Sequence, residues 1–365
     1  MAGLNETPRG NRVHVAFFGL RNAGKSTLVN AFTGQDAAIV SDVAGTTTDP
    51  VSKAMELLPL GPCLVTDTAG LDDFGELGEL RVKRSLGVLA TADVAVWVAS
   101  DGDTSEDGAR RRAEFDAECR RNGTAVVEYR RGDSVDGLKA KIAGLELSDR
   151  VPGLLDGLVK RGDRVLCICP MDSSAPKGRL ILPQVQLLRE CLDLHATATV
   201  CQPEDIPAGD FDLAVTDSQA FAAVKGRFPR LTSFSILFAR QKGDIGEYMR
   251  GLEAIRTLHD GDLVLVAEGC THRRQCEDIG TVKIPAALKK LSGRELRFEF
   301  ASGGSFGENG VAAGASLVVQ CGGCMLTRRE VMRRIASARA SGIPIVNYGM
   351  VLAAAAGVEV EKCVM

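Results

Sequence analysis

No excess of positive charge marks this 365-residue chain: 44 Lys and Arg face 47 Asp and Glu, for a net charge of −3. That removes the broad basic field of a nucleic-acid-binding surface, so no nucleic acid is expected as a partner. Lys and Arg do cluster locally, at Arg110 to Arg112 and between Arg328 and Arg334, where they read as solvated helix faces. No apolar run is long enough to cross a bilayer; "MVLAAAAGV", near the end, falls far short, and no membrane is expected. The opening stretch "MAGLNETPRGNR" is polar and lacks the apolar region of a signal peptide, so a cytoplasmic location is expected. The 11 cysteines then belong in reducing surroundings, where disulfides are disfavoured. What remains is ordinary soluble composition, 45% hydrophobic and 25% charged, in a chain too long for one ordinary core. Two or three domains are expected.

"VHVAFFGLRNAGKSTLVNAF" reads as a buried strand, a glycine-rich turn and a helix. It contains G-x-x-x-x-G-K-S, from Gly19 to Ser26, in the context that a phosphate loop requires. Gly19 and Gly24 let backbone N–H groups wrap a phosphate, with Asn22, Ala23 and Thr27 completing the loop and the first helical turn. Lys25 reaches the β- and γ-phosphates, and the Ser26 hydroxyl offers itself to Mg²⁺. Two further pieces follow in order. "AGTTTDPV" is a Thr-rich loop, with Thr47 as its Mg²⁺ candidate. "CLVTDTAGLDD" ends a strand in Asp-x-x-Gly: Asp67 would hold Mg²⁺ through water, and the Gly70 N–H would sense the γ-phosphate. The catalytic set is thus Lys25, Asp67 and Gly70, with Mg²⁺ as an expected cofactor.

Together these stretches resemble the translation-factor-like GTPases of the TrmE–Era group. The resemblance implies GTP as the nucleotide and K⁺ at Asn22, where a cation would offset transition-state charge as an arginine finger does. It also points to Glu79 as a catalytic glutamate, against which stands the plainer reading of a solvated helix residue. One departure is clear: the Asn-Lys-x-Asp motif that reads guanine is absent. Either Arg130 to Asp133 stands in its place with Asp133 as the base reader, or "GDSVDGLKAKI" ends the last strand and starts the last helix. The helical look of "SVDGLKAKI" favours the second reading, in which a strand and the base-reading loop are missing.

The rest of the chain alternates strands and helices. A strand is expected from about Arg164 to Pro170, with Cys167 and Cys169 on one face as core residues. An amphipathic helix follows Pro183, with Val185, Leu188 and Leu192 on its apolar side. "FDLAVTD" and "FSILFA" read as further strands. The last third reads as strands in "DLVLVAEGC", "ELRFEFAS" and "SLVVQCGGC", then a helix from about Thr327, then a strand in "IPIVNYG". Cys270 follows the first of these strands and Cys321 and Cys324 the third, so three thiolates can converge on one edge of a parallel sheet. A zinc site of Cys270, His272, Cys321 and Cys324 and an iron–sulfur site are both open on residue chemistry alone.

"EGCTH", "EDIGTVKIP", "CGGCMLTRRE" and "IPIVNYGM", with "DSSAPKGRLILPQ" in the middle, resemble the HydF family of [FeFe]-hydrogenase maturation GTPases along nearly the whole chain. The resemblance implies an α/β protein of three domains. These are a shortened P-loop GTPase domain over 1–150, a dimerisation domain over 155–255 and an iron–sulfur domain over 256–365. It implies a homodimer that binds a [4Fe–4S] cluster through Cys270, Cys321 and Cys324. It also implies a transient di-iron precursor as cargo, with radical-SAM maturases and apo-[FeFe]-hydrogenase as partners. The family's His before Cys-x-x-Cys is Gln320 here, a neutral amide expected to hydrogen-bond near the site rather than ligate. The fourth position then falls to His272, Glu277, Cys276 or an outside ligand. The rival readings are a TrmE-like tRNA-modification GTPase and a HydF-like binding protein that has lost GTPase activity.

Overall fold

Apolar runs form the central strands, and glycine-bounded amphipathic stretches form the helices around them. The computed structural model describes residues 9–34, 51–73, 75–147, 151–170, 180–269, 278–302 and 314–364. Two units divide the chain, residues 1–150 and 151–365.

The first unit runs β1 (Val13–Phe18), α1 (Lys25–Thr33), β2 (Val51–Leu57), β3 (Gly61–Asp67), α2 (Glu76–Leu89), β4 (Val94–Val98), α3 (Glu106–Asn122), β5 (Ala125–Tyr129) and α4 (Val135–Ala143). Its sheet has the order β2-β3-β1-β4-β5, parallel except for the β2–β3 pair. One face buries Phe17, Leu28, Phe32, Val65, Val96 and Ile142. The other buries Phe18, Leu71, Trp97 and Phe115. Burial on both faces explains why β1 and β4 read as unbroken apolar runs. On α3, Arg110 is exposed, whereas the Arg112 guanidinium lies over Trp97 at 5.0 Å and pairs with Asp116 and Glu128.

The second unit holds two four-stranded parallel sheets. β6 (Arg164–Ile168), α5 (Leu182–Asp193), β7 (Thr197–Cys201), β8 (Leu213–Thr216), α6 (Phe221–Val224) and β9 (Leu231–Ser233) build one, in the order β7-β6-β8-β9. Then come α7 (Phe234–Lys242), α8 (Ile245–Ala254), β10 (Leu263–Glu268), α9 (Ile284–Ser292), β11 (Arg297–Ser302), β12 (Ala315–Gln320), α10 (Arg328–Ala340), β13 (Ile345–Asn347), α11 (Tyr348–Ala355) and α12 (Val360–Cys363). The second sheet has the order β11-β10-β12-β13. An α/β unit with a mostly parallel sheet, followed by further parallel-sheet α/β structure, is what the sequence led us to expect. Cys167 and Cys169 are buried together, their sulfurs 3.5 Å apart.

Three expectations need correction. "FSILFA" is not a strand but the body of α7, capped by the Ser233 hydroxyl, which accepts from the Ile236 N–H at 3.3 Å. Nearly all of this helix is buried, so its apolar run carries no helical period, and a short run of that kind does not distinguish strand from helix. In α5 the buried face is Gln184, Leu187 and Cys191, and Leu192 is 71% exposed. Gln184 lies on that buried face, and its side-chain oxygen accepts from the Ile181 N–H at 3.0 Å. The α10 arginines are not all solvated: Arg334 has no exposed surface and bonds Glu330 at 2.8 Å and the Glu268 carbonyl at 3.3 Å.

Helix α8 lies directly on β13 at Gly251, where an added Cβ would sit 2.0 Å from the Ile345 carbonyl oxygen. The obstacle is backbone and cannot swing aside. Gly251→Ala is expected to destabilise the second unit by about 1–3 kcal/mol through overpacking. Chemical denaturation checks this, with an unchanged midpoint as the contrary result.

Candidate functional site

In the first unit the chain leaves β1 at Phe18 and turns through residues 19–24 into α1. Gly19 sits at φ 151°, and a Cβ there would lie 2.6 Å from the Val98 carbonyl oxygen, so the turn passes too close to β4 for any side chain. Asn22 (φ 60°) and Gly24 (φ 89°) complete the left-handed turn. No side chain caps the N-terminus of α1, and Asn22, Gly24, Ser26 and Thr27 face solvent. The first-turn amides therefore stand open to an anion. Lys25 is buried across the loop, its Nζ donating to the carbonyls of Leu20 at 2.8 Å and Gly19 at 3.3 Å. Burial lowers its pKa, while Asp67, Asp72 and Asp73 draw it back up.

Asp67 ends β3 beside this loop. Burial raises its pKa, and a hydrogen bond from Ser26 and the Lys25 charge oppose that. Its Oδ1 is buried with no hydrogen-bond partner. An orphaned carboxylate oxygen next to the Ser26 hydroxyl fits a hard divalent cation such as Mg²⁺. The following turn is pinned by Thr68, whose hydroxyl donates to the Phe17 carbonyl at 2.7 Å. At Gly70 an added Cβ would lie 2.8 Å from the Arg21 amide nitrogen, so this glycine touches the phosphate loop. Asp72, which the sequence did not single out, accepts from the Arg21 N–H. Glu79 is exposed on α2.

β5 ends in a turn at 130–133, and α4 follows at once with Ser134 as its cap. The Asp133 carboxylate accepts from the Arg130 N–H at 2.9 Å and so closes its own turn. Among the described residues, no sixth strand extends this sheet. Thr47 lies outside the described residues.

In the second unit the strand order changes direction between β10 and β12, and such a switch point opens a crevice at the carboxyl ends of the strands. Among the described residues, the end of β12 carries two of the sequence-expected thiols. Cys321 and Cys324 follow β12, each partly exposed. The Cys321 sulfur accepts the Gly269 N–H at 3.0 Å, and Gly269 immediately precedes Cys270. Burial pushes both thiols up; backbone N–H groups oppose this at Cys321, and the Lys242 ammonium opposes it at Cys324. Cys270, His272, Cys276 and Glu277 lie outside the described residues. Among the described residues alone, no group of three or more Cys, His, Asp and Glu could hold a metal. Two thiols at one strand end suit a soft metal, and the remaining ligands must come from elsewhere.

The turn itself is built from both halves of the unit. Gln320 is buried and its amide donates to the Tyr248 hydroxyl at 3.3 Å, leaving Oε1 without a partner. Asn347 donates to the Cys321 carbonyl at 3.5 Å. A Cβ on Gly322 would lie 3.0 Å from the Ser235 hydroxyl, so the turn runs tightly over α7. Lys242, at the end of α7, is fully buried against the same turn and depressed by burial to about 8. Nothing in "LFARQKGD" marked this lysine, since a basic residue at a helix C-terminus usually faces water.

Family models divide the chain in the same order. Residues 14–127 match the 50S ribosome-binding GTPase model. Residues 154–243 match the hydrogen maturase F dimerization domain, and residues 246–364 its tetramerization domain. The chain belongs to the hydrogen maturase F (HydF) family. Its first unit is a P-loop GTPase domain, which implies GTP and Mg²⁺. The two HydF domains, by their names, point to self-association. Curated relatives include the tRNA modification GTPase MnmE of Rhizorhabdus wittichii, 37% identical over 149 residues, or 40% of this chain and 32% of that protein. MnmE of Methylobacterium sp. (strain 4-46) is 33% identical over 247 residues, 62% of this chain and 50% of the relative. The chain thus spans no more than half the length of these two relatives. No described helix is long and apolar enough to cross a membrane.

Proposed function

We propose that this HydF-family GTPase is a scaffold and carrier that assembles and delivers the di-iron subcluster of [FeFe]-hydrogenase. In this reading a [4Fe–4S] cluster sits at Cys321, Cys324 and Cys270. The observation that supports it most is the pair of thiols at the β10/β12 switch point, with the Gly269 N–H on the Cys321 sulfur 3.0 Å away. Such a cluster would supply an iron with an open or weakly held position for incoming cargo. The fourth ligand is then an exchangeable one, drawn from His272, Glu277, Cys276 or solvent. Residues 155–255 serve homodimerisation in this scheme and 256–365 carry the cluster. The partners are radical-SAM maturases and the apo-hydrogenase, in the cytoplasm.

On the GTPase side, the amides of Gly24, Lys25 and Ser26 bind phosphate oxygens, and Ala23 and Thr27 border them. Lys25 turns its ammonium from the loop carbonyls to the transferred phosphoryl group. Ser26, Thr47 and, through water, Asp67 would hold Mg²⁺, which neutralises charge on the β- and γ-phosphates. Gly70 senses the γ-phosphate through its N–H. Ordering of the Thr46–Thr48 loop by that phosphate is the timing signal passed to partners.

Anaerobic reconstitution with iron and sulfide, followed by electron paramagnetic resonance, tests the cluster. Stoichiometric zinc with no iron sinks it. Turnover of GTP and ATP by the purified chain separates this reading from a HydF-like protein without GTPase activity. Asn22 supports K⁺ binding because its backbone places it, exposed, at the left-handed corner of the phosphate loop. Hydrolysis should run faster in potassium than in sodium at equal ionic strength. Equal rates remove the cation from the mechanism.

A further inference from the structure

Lys242 has no exposed surface. A buried ammonium is costly unless hydrogen bonds and opposite charge compensate it. Its hydrogen bonds go to three carbonyls: Leu326 at 2.7 Å, Gly323 at 3.3 Å and Cys324 at 3.3 Å. These occupy its three N–H donors, and all three acceptors belong to the turn that carries Cys321 and Cys324. The Phe238 ring flanks it, 5.0 Å from its centroid. Among the described residues, no carboxylate forms an ion pair with it. The acidic groups that act on it are the two thiols. A neutral donor would hold the carbonyls as well. A full charge in that place is useful where negative charge arrives on the sulfurs.

We propose that Lys242 is the positioning residue and fixed counter-charge of the cysteine turn. It holds residues 323–326 in the shape that presents both sulfurs, and it offsets the negative charge of an iron–sulfur group bound there. The second half rests on the cluster reading above. Positive charge beside such a group favours its reduced form, so Lys242 raises its reduction potential.

Two measurements on the full chain test this. The first is amide hydrogen exchange in the metal-free protein. Lys242→Met should speed exchange across residues 322–327 by about tenfold or more, the loss of one to two net hydrogen bonds. Lys242→Arg, which keeps charge and donors, should recover part of the protection. The second is a redox titration after anaerobic loading with iron(II) and sulfide. At a fixed potential, Lys242→Met should show an about tenfold lower reduced-to-oxidised ratio, which is about 59 mV for one electron. Lys242→Arg should stay near wild type.

Wild-type exchange rates together with an unshifted ratio in Lys242→Met overturn the proposal. Failure of the wild type to take up iron removes the cluster reading and the counter-charge with it. The exchange data then decide the positioning role by themselves. Should Lys242→Met not fold, Lys242→Gln keeps two N–H donors without charge. Its turn should stay partly protected while its ratio falls, and a wild-type ratio in that variant overturns the counter-charge.

Discussion

Lys25→Ala is expected to lower GTP turnover by about 10²–10³-fold or more, the usual cost of removing a donor that acts on transition-state charge. Its ammonium donates to two loop carbonyls, those of Gly19 and Leu20. The loop itself therefore holds this side chain in place. Its burial lowers its pKa, and three nearby aspartates oppose that. Alanine also leaves two carbonyls without their donor, and a control for folding is needed. Circular dichroism and thermal unfolding supply it, because the solvent that enters the exposed loop can hydrate those oxygens. Turnover within a few-fold of wild type, in a folded variant, would mean that the hydrolysis comes from elsewhere.

The phosphate loop was legible because each residue type in it is chemically required at a fixed spacing. Gly19 admits no Cβ against Val98, Gly24 needs a left-handed turn, and Lys25 and Ser26 must follow it. The parallel strands were legible for a related reason: β1, β4, β6, β10 and β12 are buried along almost their whole length and read as apolar runs. The same signal misled at α7, where burial on all sides gives an apolar run without a helical period. Nor was the strand order visible. That β10 and β12 are neighbours at a switch point depends on pairing across some fifty residues of chain. The roles of Lys242 and Arg334 were hidden for the same reason. Lys242 meets carbonyls 81 to 84 residues away, and Arg334 meets one 66 residues away. No local pattern announces that a lysine or arginine will be covered by a distant turn. Gln320 was the opposite case. Its amide chemistry predicted a hydrogen-bonding role, and its donor goes to Tyr248.

Cys321→Ala and Cys324→Ala should each reduce iron uptake after anaerobic reconstitution to background and remove the cluster's paramagnetic signal. The two residues flank a glycine pair in a turn fixed at its start by the Cys321 N–H on the Ala267 carbonyl at 2.9 Å and farther along by Lys242. The backbone that aims the sulfurs is thus held by groups other than the sulfurs. Alanine at either position should leave that backbone in place, and the melting temperature should move by only a few degrees, as for a loss of about 1 kcal/mol. Loss of iron without loss of fold is the signature of a ligand. Cys363→Ala is the useful comparison. Cys363 is buried in the second unit's core, its carbonyl accepts from the Thr232 hydroxyl of β9, and desolvation pushes its thiol up to about 11, so it is a packing residue. That variant should lose stability and keep its iron. Full iron content in Cys321→Ala would place the cluster away from the β10/β12 crevice. Iron lost from all three variants in proportion to unfolding would show that the measurement reports folding and not ligation.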